Sequence, residues 1–166
     1  PIEVPTALRL LETIPNLIGM KDSSGHIPNL DQLVAARGER EFSLYVGDDS
    51  LLLSALEAGW DGVVSGIACF APELITAVYR SYKNGDENQA RANQAALNEL
   101  IQKVVANLPI PWGVRIGLAA RGIASGSMHL PPSQARLRQM EEVRISLGEW
   151  ADARGLELDQ VWKCIA

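Results

Sequence analysis

Three short apolar runs set the rhythm of the first half of the chain. Residues 17–20 run into Lys21, residues 42–46 run into Gly47, Asp48 and Asp49, and the run from Gly62 through Val63 and Val64 ends in Ser65 and Gly66. Each is short and rich in branched side chains, as buried strands are. Between them the spacing turns helical. Residues 6–13 read as a helix capped by Thr6 after Pro5, and residues 28–36 place Leu30, Leu33 and Val34 on one face. Residues 50–58 form an apolar helix closed by Gly59, and residues 72–83 begin a helix with Pro72 just inside its start. Short apolar strands alternating with helices predict βα units on a parallel sheet.

After Lys83 the alternation stops. Residues 86–107, 112–121 and 132–147 read as helices, the first carrying Ala90, Leu97, Leu100, Ile101, Val104 and Val105. The expected fold class is therefore α/β: three βα units over residues 1–84, then a helical region over residues 85–166.

Composition narrows the function more than the fold. The 166 residues are 47% hydrophobic and 21% charged, which suits one core in an ordinary soluble chain. A net charge of -5 and a pI near 5.0 argue against a nucleic-acid surface. No apolar run approaches the roughly 20 residues of a membrane span, no leader pattern is visible, and a cytoplasmic location is the default. Cys69 and Cys164 are too few and too far apart for a disulfide framework or a metal knuckle, and no phosphate loop appears. The chain opens at Pro1, without methionine, directly into a helical pattern, which points to a natural protein that begins further upstream.

The chemistry lies at the strand ends. A lysine at the mouth of a buried strand is costly unless used, and one use is covalent: a desolvated amine attacks a carbonyl to form a Schiff base. Taken alone, Lys21 reads better as a side chain reaching out to water. The ends at Gly47-Asp48-Asp49 and Ser65-Gly66 shift the balance, because β/α barrels gather their sites at the carboxyl ends of the strands. Other candidates carry less. Asp22 is placed to orient Lys21 but is an ordinary loop acid; Ser23 and Ser24 cap a turn; His26 and His129 lack partners at ligand or triad spacing; Trp112 and Trp150 read as packing aromatics.

The stretch Gly19-Met20-Lys21-Asp22-Ser23-Ser24-Gly25, with Gly47-Asp48-Asp49, Gly59-Trp60-Asp61-Gly62, Val63-Val64-Ser65-Gly66, Ala71-Pro72-Glu73 and Leu108-Pro109-Ile110-Pro111, resembles the dihydrodipicolinate synthase / N-acetylneuraminate lyase family over roughly residues 1 to 150. The resemblance implies a pyruvate-dependent class I aldolase or lyase on a (β/α)8 barrel with a C-terminal helical extension. It implies Lys21 as the Schiff-base lysine on the sixth strand and Gly47 beside bound pyruvate at the end of the seventh. Val64 is implied as a pocket-lining residue of the eighth strand, with Ser65 next to it. Asp48 and Asp49 are implied to face the hydroxyls of a second substrate, a 2-oxo acid being joined to or released from an aldehyde. No cofactor or metal is implied, and a homo-oligomer, commonly a tetramer, is.

Two departures stand out: Cys69 occupies a place where many relatives carry asparagine, and Arg115 one where lysine is commoner. A full barrel needs eight strands in about 250 residues. The chain is therefore expected to be the C-terminal half of such an enzyme, inactive or weakly active until a partner segment or a second copy completes the barrel. The family's proton-relay tyrosine is expected upstream of Pro1. Two other readings stand beside this one: the synthase itself, condensing pyruvate with aspartate semialdehyde, and a non-catalytic binding or regulatory relative.

Overall fold

The computed structural model describes residues 2–104, 107–108, 110–123 and 130–154. In chain order the elements are α1 (Val4–Thr13), β1 (Gly19–Asp22), α2 (Pro28–Arg37), β2 (Ser43–Val46), a 3-10 turn (Asp49–Leu51), α3 (Leu52–Glu57), β3 (Gly62–Val63), a second 3-10 turn (Ile67–Cys69), α4 (Pro72–Lys83), α5 (Glu87–Val104), α6 (Trp112–Ala120) and α7 (Gln134–Asp152). The three strands form one parallel sheet in the order β1-β2-β3. The chain divides into two compact units, Pro1–Ser65 with Thr76–Gln94 and Gly66–Ile75 with Ala95–Ala166. α4 and α5 each contribute residues to both units.

The first unit holds the sheet. Leu44 and Val46 are buried on the helix side, where they join Leu30, Leu33, Phe42 and Trp60. Strand side chains alternate between faces, and the register therefore sorts the sheet into two sets. Met20 pairs with Leu44, and Val46 pairs with Val63, all on the helix side. Lys21 pairs with Tyr45 and Tyr45 with Gly62, all on the opposite face.

Each residue of the Gly59-Trp60-Asp61-Gly62 segment has a structural task of its own. Gly59 turns the chain with φ +91, a conformation that side chains rarely tolerate. Trp60 fills the core, 2% exposed, and its indole N–H donates to Leu30 O at 3.0 Å. Asp61 Oδ2 accepts from Leu44 N–H at 2.8 Å and from Arg37 at 2.9 Å, locking the entry to β3 against β2. Gly62 leaves room for the Tyr45 ring, whose nearest atoms lie 3.7 Å from where a Cβ would stand. Trp60→Phe keeps the packing and removes the hydrogen bond. It is expected to lower unfolding stability by about 1 kcal/mol in urea denaturation.

Several boundaries differ from the sequence expectation. β1 lies further along than the apolar run, because its ladder with β2 continues through Lys21↔Tyr45 and Asp22↔Val46. Lys21 is thus inside the strand, not past its end. β3 is only two residues long, and Val64 and Ser65 follow it. The expected helix 50–58 begins as a 3-10 turn, since Asp48 caps Ser50 and tightens the start. Thr6 does not cap α1, which starts at Val4 with the Thr6 N–H donating to the Glu3 carbonyl at 2.9 Å.

In the second unit, α7 runs past residue 147 to Asp152, because Val143, Leu147, Trp150 and Ala151 continue a buried face. Its start is capped by Ser133 Oγ, which accepts from Arg136 N–H at 3.2 Å. α6 packs closely on the turn at Phe70, and a Cβ at Gly117 would fall inside van der Waals distance of the ring. Glu73 and Arg121 pair at 2.5 Å, and Trp150 carries Arg154 over its ring at 4.5 Å. Val105, Pro109, His129 and Cys164 lie outside the described residues. Among the described residues, no helix is long and apolar enough to cross a membrane.

Candidate active site

All six predicted site residues lie in the first unit, at the carboxyl end of the sheet or just beyond it. Lys21 leaves β1 on the face away from the core, beside Tyr45 of β2. Its aliphatic chain runs along the backbone of Gly47. A Cβ at Gly47 would stand 2.9 Å from Ser23 Cβ and closer still to Lys21 Cε and Ser23 Oγ. Gly47 is therefore the floor on which the lysine stem and the Ser23 hydroxyl meet, and glycine is the residue type that lets them approach. Gly47 N–H continues the ladder by donating to Asp22 O at 2.7 Å.

The two loops after β1 and β2 share one construction. Asp22 Oδ1 accepts from Ser24 N–H at 2.7 Å, and Asp48 Oδ1 accepts from Ser50 N–H at 3.0 Å. The serine hydroxyl of each pair also donates to its aspartate, at 3.0 Å from Ser24 and 2.6 Å from Ser50. The same Asp-x-Ser turn thus fixes both loops. Gly25, with φ +70, lies against the second loop: its missing Cβ would be 3.5 Å from Asp48 Oδ2.

Asp22 also reaches the helix layer. Its neighbour in register is the buried Val46, so its side chain leaves the sheet on the face opposite Lys21. There Asn29, in the first turn of α2, donates to Asp22 Oδ2 at 3.1 Å. Burial pushes the Asp22 carboxyl up, but the Ser24 N–H, the Asn29 amide, the Ser24 hydroxyl and nearby His26 together outweigh it and hold the group below its ordinary value of 3.8. A lowered carboxyl contributes stability above the unfolded value and loses it as pH falls through the folded one. The difference in urea midpoint between the wild type and Asp22→Asn is therefore expected to shrink as pH drops below about 3.8. A difference unchanged from pH 7 to pH 3 would contradict this.

Asp49 is 9% exposed, and Gln94 Nε2 donates to its backbone carbonyl at 3.1 Å. Val64 is 50% exposed and its N–H donates to Val46 O at 2.9 Å, carrying the strand pairing one step past β3. Ser65 follows, half-buried. Sequence reasoning missed Asn29, Tyr45 and Gly62. Pleat parity held a signal for two of them, since Tyr45 and Gly62 stand on the same face as Lys21 once the register is known.

Three parallel strands covered by helices and followed by a helical region define an α/β chain, with Lys21 and Gly47 brought together at the carboxyl end of its sheet. The sequence profile of the dihydrodipicolinate synthetase family matches residues 2–148, and the chain belongs to that family. An uncharacterized DapA-like lyase of Halobacterium salinarum is 39% identical over 75% of this chain and 40% of its own length. The 4-hydroxy-tetrahydrodipicolinate synthase of Bacillus subtilis is 33% identical over 76% of this chain and 43% of its own. Among solved structures, the 4-hydroxy-tetrahydrodipicolinate synthase of Methylacidiphilum fumariolicum superposes with a TM-score of 0.74 at 29% identity, over 92% of this chain and 51% of that one. The chain spans half the length of these relatives or somewhat less.

Proposed function

We propose that this chain carries the nucleophile of a Schiff-base-forming, pyruvate-dependent aldolase or lyase. The observation that supports it most is the seating of the Lys21 stem on Gly47, with the Ser23 hydroxyl beside it. In the proposed cycle the Lys21 Nζ adds to C2 of the 2-oxo acid, forming a carbon–nitrogen bond. The carbinolamine loses water and becomes a protonated imine. That cation draws electrons, so C3 gives up a proton and an enamine forms, which attacks an aldehyde carbon. The reverse order cleaves the carbon–carbon bond, and hydrolysis of the imine returns the amine.

Gly47 and the backbone at Val64 and Ser65 are the proposed neighbours of the bound 2-oxo acid. Asp48 is the better placed of the two acids for the hydroxyls of a second substrate, because Asp49 is buried. The rest of the barrel, and with it the proton relay, is proposed to come from the half that the relatives possess in addition. A cytoplasmic homo-oligomer fits the proposal.

The experiment is borohydride reduction of the full-length protein in the presence of pyruvate, followed by peptide mass mapping. A pyruvate-derived secondary amine on the peptide containing Lys21 is expected. Absence of an adduct, or an adduct on another lysine, overturns the reading.

A further inference from the structure

Lys21 and Asp22 are consecutive, yet the pleat sends them to opposite faces of the sheet. The acid therefore does not act on the lysine by contact. Its route to the lysine is the loop that follows. That loop is held by a closed set of bonds around Ser24. Ser24 Oγ donates to Asp22 Oδ2 at 3.0 Å and accepts from His26 N–H at 3.1 Å and from Asn29 Nδ2 at 3.2 Å. Asn29 Nδ2 also donates to Asp22 Oδ2, at 3.1 Å. An Asp-x-Ser turn alone would order three residues; the Asn29 amide adds a tie to a helix seven positions away. The residue left in the middle of the clamp is Ser23, and its side chain is the one pressed on Gly47 beside Lys21 Cε.

We infer that Asp22 and Asn29 are positioning residues for the lysine: by tying the β1–α2 loop to the first turn of α2, they hold Ser23 on Gly47 and so fix where the Lys21 amine ends. This rests on the proposed Schiff-base role of Lys21. The physical reason is geometric. Lys21 Cε and the Ser23 Oγ and Cβ are the three atoms nearest to where a Gly47 Cβ would stand, so the stem and the serine crowd the same glycine. If Ser23 swings away, the stem gains rotamers, and a displacement of about 1 Å at a reacting atom costs up to about 100-fold in rate. A carboxylate with three donors and an amide donating twice hold the loop more firmly than a neutral turn, since charge-assisted bonds are the stronger kind.

The test uses the full-length protein and the rate of borohydride-trapped adduct formation over a range of pyruvate concentrations. Asp22→Ala and Asn29→Ala are expected to slow the saturated rate about tenfold while shifting half-saturating pyruvate less than twofold. The exchange Asp22→Asn with Asn29→Asp restores a donor facing a carboxylate, and is expected to recover most of the rate. Thermal unfolding is recorded in parallel. A merely structural clamp would lower the melting temperature and leave the folded protein's saturated rate unchanged, and that outcome overturns the inference. Should Asp22→Ala fail to fold, Asn29→Ala decides, because it leaves the local Asp22–Ser24 turn intact. A wild type that traps no pyruvate brings down the Schiff-base reading, and this inference with it. A wild type that traps normally beside variants that trap equally fast brings down this inference alone.

Discussion

Lys21→Arg is expected to abolish carbon–carbon bond making and breaking in the full-length enzyme, with a loss on the order of 10⁶-fold, the scale seen when a covalent nucleophile is removed. Arginine keeps the positive charge and most of the stem, so a role as a surface cation would survive the change. It cannot lose its proton in a protein, and so it cannot add to a carbonyl. Lys21 is exposed, so unfolding stability is expected to change by no more than about 0.5 kcal/mol. Steady-state turnover with pyruvate and a panel of aldehydes, read beside a urea titration, checks both halves. Retention of more than a few per cent of wild-type turnover would sink the assignment.

The second large effect is expected at Gly47. Gly47→Ala places a methyl group where Lys21 Cε and Ser23 Oγ now stand, with Ser23 Cβ at 2.9 Å. Lys21 Cε and Ser23 Oγ can rotate out of its way, whereas Ser23 Cβ is fixed to its own backbone, so the loop after β1 has to shift slightly as well. The fold is expected to survive at a cost of about 1 kcal/mol, while the lysine is pushed off its seat and the trapping rate falls about 100-fold. Gly38→Ala is the informative contrast. Nothing lies within 4 Å of its missing Cβ, but its φ of +55 penalises a side chain. Its cost is expected in stability, about 1 kcal/mol, with trapping unchanged. Equal effects of the two substitutions on the trapping rate would show that Gly47 has no special relation to Lys21.

The alternation of strands and helices was legible because each strand lies on or beside a short apolar run and each of α1 to α4 has a proline at its start or a glycine just past its end. The strand limits were not. Hydrophobicity marks burial, whereas the ladder is made by the backbone, so β1 continues through Lys21 and Asp22, which no apolar count would include. β3 shows the converse, for Val64 is apolar, half exposed, and lies past the end of the strand. Lys21 and Gly47 were legible as candidates because their residue types at strand ends are chemically distinctive. Asn29 was not, because an asparagine early in a helix has many uses and only the fold brings it to Asp22. The alternate roles of Asp48 and Asp49, one capping a turn and one buried, depend on the 3-10 geometry that the Asp48–Ser50 bonds create, and adjacent identical letters hide that difference.

The sheet order β1-β2-β3 puts the lysine-bearing strand at an edge of the sheet among the described residues. Ile18, just before it, is 76% exposed. Whatever strand pairs along that edge also touches the strand that holds the nucleophile, and by thermodynamic reciprocity the two events share one coupling free energy. Occupancy of Lys21 by a carbonyl ligand would then tighten the pairing by the same factor by which pairing tightens the ligand. Ligand chemistry and strand pairing at this edge would become two readings of a single equilibrium.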